Sequence, residues 1–264
     1  MEPAGQVTLR NAAGDAAVIS LYGGQLLSWR TARHGEQLYL SPWPTAPGKP
    51  VRGGVPVCFP QFAERGPLAK HGYARTSAWA LVRASALPEP VASAVLRLAP
   101  ALELEVRLGD DWIEVHLRAI NTGNGPLTFT AALHTYFAVP DVGQAQVVGL
   151  QSAWYEDALD GFALKQEQPA AVTFGGELDR VYHAVPGPLQ LMAPGAARRR
   201  ITQDGFTDVV LWNPGPDKAA RLGDMPPQDW VRMVCVEAGA IASPITLQPG
   251  DRWSGTQRCS IERD

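Results

Sequence analysis

Apolar and polar residues alternate with a period of two in several short stretches of the chain. The stretch WIEVHLRAIN, residues 112–121, places Ile113, Val115 and Leu117 on one side and charged or polar residues on the other. Successive side chains of a β-strand point to opposite faces of the sheet, so this alternation is typical of a half-buried strand.

Other stretches of strand length are rich in β-branched or aromatic residues. They occupy residues 77–86, 91–98, 126–139, 208–212 and 232–238. Helical periodicity is almost absent, and only residues 217–222 could form a helical turn; residues 151–177 have the least regular pattern. Many short strands separated by Gly and Pro predict an all-β fold, namely a large antiparallel β-sandwich with little helix. Without a linker or repeat, residues 1–264 are expected to form a single domain.

The overall charge argues against one class of partner. The 264 residues include 23 Lys plus Arg and 26 Asp plus Glu, for a net charge of −3 and a pI of about 6.0. Nucleic-acid binding depends on a basic surface that neutralises phosphates, so no nucleic-acid partner is expected. The basic residues are unevenly divided, with 19 Arg and only 4 Lys, which makes the position of each arginine informative.

The cysteine pattern and the N-terminal residues predict the cellular compartment of the protein. The chain has an odd number of cysteines, and no two of them have CxxC spacing: Cys58, Cys235 and Cys259. This pattern predicts neither a disulfide framework nor a metal site. The sequence begins without the basic and apolar regions of a signal peptide, and no apolar run approaches the roughly 20 residues that span a bilayer. We therefore expect a soluble cytoplasmic protein with no membrane partner. The sequence does not indicate an oligomeric state, and a monomer is the default expectation.

Cations are concentrated in a region of Gly and Pro turns, residues 51–79. The cations are Arg52, Arg65, Lys70 and Arg75, and the region also contains His71. Long loops are often functional, and arginine binds phosphate well because its planar guanidinium donates two parallel hydrogen bonds. From these residues alone, an anion site and a solvated surface loop are about equally supported. The motifs of nucleotide-binding loops are absent.

The motif LHTYF contains a histidine within an apolar run. Alternation places His134 on the same face as Ala132 and Tyr136, opposite Leu133 and Phe137. Such a histidine could be catalytic, but a histidine satisfied within the core would produce the same pattern.

The apolar run VCVEA contains the carboxylate of Glu237. Glutamate is rarely buried without a partner, so this residue is a candidate general base or a member of a structural ion pair. Asp179 and Arg180 could form an exposed turn pair, and the three arginines at 198–200 favour a solvated sheet edge.

Eight segments in series carry a family resemblance. They are GGQLLSWR (23–30), RGGVPVCFPQF (52–62), GPLAKHGYAR (66–75), LHTYF (133–137), DRVY (179–182), VVLWNPG (209–215), RMVCVEA (232–238) and LQPGDRW (247–253). Together they resemble the aldose 1-epimerase superfamily, and within it the glucose-6-phosphate 1-epimerase (hexose-6-phosphate mutarotase) branch. The resemblance implies the galactose mutarotase-like supersandwich, and an isomerase that interconverts sugar anomers without cofactor or metal.

The resemblance also assigns roles to residues. It matches His134 and Glu237 to the catalytic pair, with Glu237 as base and protonated His134 as acid, each charge favouring the other. The substrate-binding residues that it implies are Arg52, Lys70 and Arg75 for the phosphate, Asp179 for sugar hydroxyls, and His71 and Gln61 along the groove. The expected partner is a small-molecule sugar phosphate. Two alternatives stay open, an aldose 1-epimerase for free hexoses and a non-catalytic carbohydrate-binding β-sandwich.

Overall fold

A computed structural model describes residues 5–85, 88–185 and 187–262. Within these ranges the strands form three sheets, all with antiparallel pairing. The smallest sheet has the order β1 (Gln6–Arg10), β2 (Ala16–Ser20), β3 (Gln25–Thr31) and β4 (Gly35–Glu36).

The eight-stranded sheet carries the residues of greatest functional interest. Its order is β14 (Ala163–Gln166), β13 (Trp154–Asp157), β16 (Leu178–Tyr182), β19 (Asp208–Asn213), β20 (Met233–Leu247), β10 (Leu127–Leu133) and β5 (Val57–Cys58), with β11 (Tyr136–Ala138) pairing with β20. The strand β20 is 15 residues long and lies at the centre, paired with β19, β10 and β11.

The nine-stranded sheet completes the fold. Its order is β15 (Ala171–Thr173), β12 (Gln146–Val148), β17 (Leu189–Met192), β18 (Arg199–Asp204), β21 (Arg252–Ile261), β9 (Trp112–Ile120), β8 (Leu102–Gly109), β7 (Ala92–Leu98) and β6 (Ala80–Ala84). The helices of the described residues are α1 (Gly215–Ala219) and short 3-10 turns at Ala74–Thr76, Val142–Gln144, Ala158–Asp160 and Pro227–Arg232. None of these helices has the length and apolar character needed to cross a membrane.

The predicted all-β antiparallel fold is confirmed. The stretch 112–121 is β9, whose side chains alternate between buried and half-buried positions. The predicted strand at 126–139 is divided into β10 and β11, and the interruption falls at His134 and Thr135. The stretch 151–177 contains the short strands β13, β14 and β15, whose few residues explain its weak pattern.

Alternation along β20 assigns its side chains to two apolar clusters. Val234 and Val236 belong to the main core, which also contains residues of the nine-stranded sheet such as Leu117. Met233 and Cys235 belong to a second cluster on the opposite face. By the same period of two, Glu237 lies on the face of Cys235, away from the main core. The eight-stranded sheet therefore has an outer face that is largely buried and carries a carboxylate.

The three arginines at 198–200 differ from the expected solvated edge. Strand β18 is internal, paired with β17 and β21, and Arg199 is only 2% exposed. Its Nε donates to Gln37 Oε1 (3.0 Å) and its Nη2 to the carbonyl of Ala138 (2.8 Å). The prediction was wrong for Arg199 because alternation turns it inward, whereas the exposed Arg200 fits it.

Candidate active site

Two glycines position the segment that carries Arg52. Gly53 and Gly54 have φ values of +110° and +59°, and a Cβ on Gly54 would lie 2.2 Å from the carbonyl oxygen of Leu26. Only glycine permits this approach to β3. The carbonyl of Gly54 in turn accepts a hydrogen bond from Tyr136 N–H (2.9 Å), which brings Arg52 beside β11.

The loop that follows β5 covers the outer face of the sheet and is closed by Gln61. The Gln61 side-chain amide donates to the carbonyls of Ala63 (3.0 Å) and Leu68 (3.1 Å), and its oxygen accepts from Leu68 N–H (2.9 Å). Gln61 therefore shapes the loop, and its side chain does not line the cavity described below.

The buried histidine and glutamate of the two motifs face each other. His134 Nδ1 lies 3.3 Å from Glu237 Oε1, and the two side chains are 10% and 1% exposed. Three aromatic rings fix the imidazole plane. Tyr136 stacks parallel to it at 4.8 Å, and His71 and Trp212 meet it edge-on at 5.4 and 5.9 Å.

Burial determines where the proton of this pair resides. It raises the pKa of Glu237 well above its ordinary value, with a further contribution from the Asp179 carboxylate. Burial likewise lowers the pKa of His134, and electrostatic contributions from His71, Arg52 and Arg75 act in the same direction. Both shifts favour the neutral forms, a carboxylic acid beside a neutral imidazole. The cost of desolvating the two charges of the expected ion pair opposes their mutual attraction.

His71 is held as a neutral hydrogen-bond donor. Burial and the neighbouring charges of Arg75, Lys70 and Arg52 lower its pKa to about 3. The N–H of Ala63 donates to His71 Nδ1 (3.2 Å), so the single ring proton is on Nε2.

Seven of the eight residues expected at the site line a single cavity of about 310 Å³. They are Arg52, Lys70, His71, Arg75, His134, Asp179 and Glu237. Asp179 reaches it from β16, which replaces the exposed-turn interpretation. Its neighbour Arg180 instead pairs with Glu167 at 2.8 Å. The cavity also contains Trp212 and Lys218, which were not among the candidates.

The cations of the cavity fall into two groups. Arg52 donates to Asp224 Oδ2 (2.8 Å) and to the Tyr136 hydroxyl (2.7 Å), and Lys218 pairs with Glu177 (2.7 Å). Within the described ranges, neither Lys70 nor Arg75 forms an ion pair with a carboxylate. Two cations without an ion-pair partner among the described residues therefore face the cavity, which suits an anionic ligand.

Unsatisfied buried polar atoms also concentrate here. The described residues contain nine buried side-chain atoms without a hydrogen-bond partner, and five of these belong to the site. They are Arg52 Nε, Arg75 Nε, His134 Nδ1, Asp224 Oδ1 and Glu237 Oε2. Leaving a buried polar group unpaired costs about 1–3 kcal/mol. Such a concentration is typical of a site that binds or transforms a polar ligand.

A metal ion matches these residues less well than a polar or anionic ligand does. Ligand atoms of His134, Cys235 and Glu237 lie within 4.8 Å of one another, which is a zinc-like set of residue types. Burial raises the pKa of the Cys235 thiol well above its ordinary value. The thiolate is the form that binds metal, so a metal here would have to displace the proton of this buried thiol.

The fold and this cavity define a family. The family model of aldose 1-epimerase matches residues 5–260, and the chain belongs to that family. A curated relative from Cenchrus ciliaris, named "Putative glucose-6-phosphate 1-epimerase", is 36% identical over 272 residues, which cover 95% of this chain and 82% of the relative. A relative with the same name from Escherichia coli K12 is 34% identical, covering 84% and 78% of the two chains.

A solved structure agrees with this assignment. The crystal structure titled as a "putative mutarotase" from Salmonella typhimurium superposes with a TM-score of 0.86 and 26% identity. The match covers 97% of this chain and 90% of the other. The resemblance predicted from the eight segments is confirmed at the level of family and fold.

Proposed function

We propose that the protein interconverts the α and β anomers of a hexose 6-phosphate, with glucose 6-phosphate as its substrate. One observation carries the proposal: His134 Nδ1 lies 3.3 Å from Glu237 Oε1 in a cavity that also presents the unpaired cations Lys70 and Arg75. The names of the two curated relatives support the same substrate.

The reaction opens and closes the pyranose ring. A base removes the proton of the C1 hydroxyl while an acid protonates the ring oxygen, the C1–C2 bond rotates, and the ring closes on the other face of the aldehyde. Glu237 serves as the base and His134 as the acid. The pair begins and ends each cycle with one proton, so the two directions use the same residues.

The phosphate supplies binding energy at a distance from the reacting atoms. Lys70, Arg75 and Arg52 donate hydrogen bonds to the phosphate oxygens. Asp179 accepts hydrogen bonds from sugar hydroxyls. These contacts position C1 between base and acid, so binding energy from the phosphate increases the rate of ring opening.

Anomer exchange measured by NMR tests the catalytic roles. Wild-type protein should accelerate the exchange of glucose 6-phosphate anomers, and His134→Ala or Glu237→Gln should each lower kcat by roughly 10²–10⁴-fold. The exposed His34 provides a control, since His34→Ala should retain full activity. Binding without any acceleration by the wild-type protein would instead identify a non-catalytic carbohydrate-binding module.

A second experiment tests the phosphate assignment. The Arg75→Ala substitution removes an unpaired cation, and a charged hydrogen bond contributes about 1.5–3 kcal/mol, so kcat/KM for glucose 6-phosphate should fall roughly tenfold or more. The loss on free glucose should be much smaller. Equal losses on the two sugars would overturn the assignment and favour an epimerase of free hexoses.

A further inference from the structure

The register of the strands brings the proposed catalytic pair together. At the end of β10, Leu133 lies opposite Ala238 of β20, and the same register resumes where β11 pairs with β20. His134 is therefore directly opposite Glu237. Opposed residues on one face of an antiparallel pair have Cβ atoms about 4.5–5.5 Å apart. The two side chains meet because the register is kept across the interruption between β10 and β11.

The interruption itself is a turn centred on His134. The N–H of Thr135 donates to the carbonyl of Leu133 (2.9 Å), which closes a three-residue γ-turn. The carbonyl of Thr135 still accepts from the N–H of Val236 (3.1 Å). In a regular antiparallel ladder the Thr135 N–H would donate in return to the Val236 carbonyl. The turn takes this donor away from β20, so the buried carbonyl that precedes Glu237 needs another partner.

Gln257 of β21, in the nine-stranded sheet, replaces that hydrogen bond. Its Nε2 donates to the Val236 carbonyl at 3.0 Å, and its Oε1 accepts from the Thr135 hydroxyl. Gln257 is 3% exposed and Thr135 is 1% exposed, so the contact lies inside the core between the two large sheets. One carboxamide thus joins the residue after His134 to the residue before Glu237.

An apolar side chain would ordinarily occupy the position of Gln257. Alternation along β21 places Cys259 and Ile261 of the main core on the same side. Burying a carboxamide there costs free energy unless both of its ends form hydrogen bonds. Even a fully bonded polar group contributes little more stability than an apolar group of the same shape. What the glutamine adds is a directional connection between the two strands.

We propose that Gln257 is a positioning residue that holds His134 and Glu237 at their reactive separation. The C1 hydroxyl and the ring oxygen of a pyranose are a fixed distance apart, so the base and the acid must match that spacing. A displacement of about 1 Å can cost a factor of about 10² in rate. The inference rests on the proposed function. It adds that Gln257, on the core side of the sheet, acts on turnover and not on substrate affinity.

The Gln257→Met substitution tests this role, because methionine is unbranched, adapts to its surroundings and forms neither hydrogen bond. For anomer exchange of glucose 6-phosphate, kcat should fall about 10- to 100-fold while KM changes less than about twofold. Asn121→Leu is the matched control. Asn121 is also buried, and its side chain donates to the carbonyls of Gly125 (2.7 Å) and Leu247 (2.9 Å). Both variants should unfold at lower urea concentration, but Asn121→Leu should keep kcat within about twofold of wild type.

The Thr135 hydroxyl provides a second test that leaves Gln257 in place. Thr135→Val removes the hydroxyl with little change in shape and should lower kcat roughly tenfold. Thr135→Ser keeps the hydroxyl and should recover most of that loss. Equal kcat values for the two variants would contradict the positioning role, and this pair decides the question if Gln257→Met does not fold.

A direct readout follows the imidazole without any sugar present. In protein labelled with ¹⁵N-histidine, the His134 ring signals report the surroundings and hydrogen bonding of the ring. Gln257→Met should shift or broaden these signals, whereas Asn121→Leu should leave them at their wild-type positions.

The outcomes separate the positioning role from the proposed function. If the wild-type protein accelerates exchange and Gln257→Met keeps kcat within about twofold of it, the positioning role is overturned and the proposed function stands. Equal losses of kcat in Gln257→Met and Asn121→Leu have the same meaning, because general destabilisation would explain both. If the wild-type protein accelerates no exchange, the proposed function fails. Unchanged His134 signals in Gln257→Met would then overturn the placement of the ring as well, and altered signals would support it.

Discussion

At the scale of single residues, the proposed mechanism gives Asp179 a part in both substrate binding and proton transfer. Burial raises the pKa of its own carboxyl, an effect that Lys218 and Lys70 oppose. Its charge adds to the burial that raises the pKa of Glu237. In the proposed mechanism, one carboxylate thus binds sugar hydroxyls and also raises the pKa of the proposed base.

The Asp179→Asn substitution should change both properties. Loss of a charged acceptor for sugar hydroxyls should raise KM roughly tenfold. Without the negative charge, the pKa of Glu237 falls, so the pair loses its single proton at lower pH. The alkaline limb of kcat/KM, measured by NMR exchange across pH, should therefore move to lower pH. Asp204→Asn, at an exposed carboxylate on β18, should change neither quantity. An unmoved alkaline limb in Asp179→Asn would contradict the coupling.

At the scale of elements, the packing of residues 52–54 against β3 determines where Arg52 lies. This contact requires the missing Cβ of Gly54, because a Cβ there would meet the carbonyl oxygen of Leu26. The site therefore extends structurally into the small four-stranded sheet, although none of that sheet's strands lines the cavity.

The Gly54→Ala substitution should reduce stability and phosphate binding together. A methyl group 2.2 Å from a carbonyl oxygen, in a left-handed conformation, should cost about 2 kcal/mol or more in the free energy of unfolding. Urea denaturation measures this loss, and KM for glucose 6-phosphate should rise as Arg52 is displaced. Gly35→Ala is the matched control, because Gly35 also has positive φ (+71°) but nothing within 4 Å of the added methyl, so its cost should be about 1 kcal/mol. Equal costs at the two positions would show that the close approach is not what constrains this segment.

At the scale of the whole molecule, Arg199 joins the three sheets. It belongs to β18 of the nine-stranded sheet, donates to Gln37 beside β4, and donates to Ala138 of β11. Its guanidinium also lies 5.9 Å from the ring of Phe137. A single buried side chain thus connects elements that are distant in sequence.

Arg199→Ala should destabilise the protein by about 3 kcal/mol, because two charged hydrogen bonds are lost and their acceptors stay buried. Urea or thermal unfolding measures the effect. Arg199→Lys should recover only part of it, since lysine lacks the planar guanidinium that reaches both acceptors. The exposed Arg200 on the same strand is the control, and Arg200→Ala should change stability by less than about 0.5 kcal/mol. A similar loss for both arginines would contradict the connecting role.

These features also show how far the sequence could be interpreted. Alternation placed His134 on the face of Tyr136, and the two rings stack in the structure although the strand is interrupted at His134. The role of Asp179 came only from the family resemblance, since local pattern favoured an exposed turn. Lys218 and Asp224 were not anticipated, because Lys218 reaches the cavity and Asp224 reaches Arg52 through long-range packing that leaves no local signal. Arg199 was misassigned because a run of like charges usually lies on the surface.

The central position of β20 has a consequence for how activity is lost. Regions of a protein open with different free energies, and the central strands of a sheet generally open only with global unfolding. Glu237 belongs to such a strand, flanked by core residues Val236 and Ala238, whereas Lys70 and Arg75 lie on a covering loop. Under mild denaturing conditions the loop should open first, so substrate affinity would be lost while the amide hydrogens around Glu237 stayed protected from exchange. Inactivation would then precede unfolding, and it would be reversible.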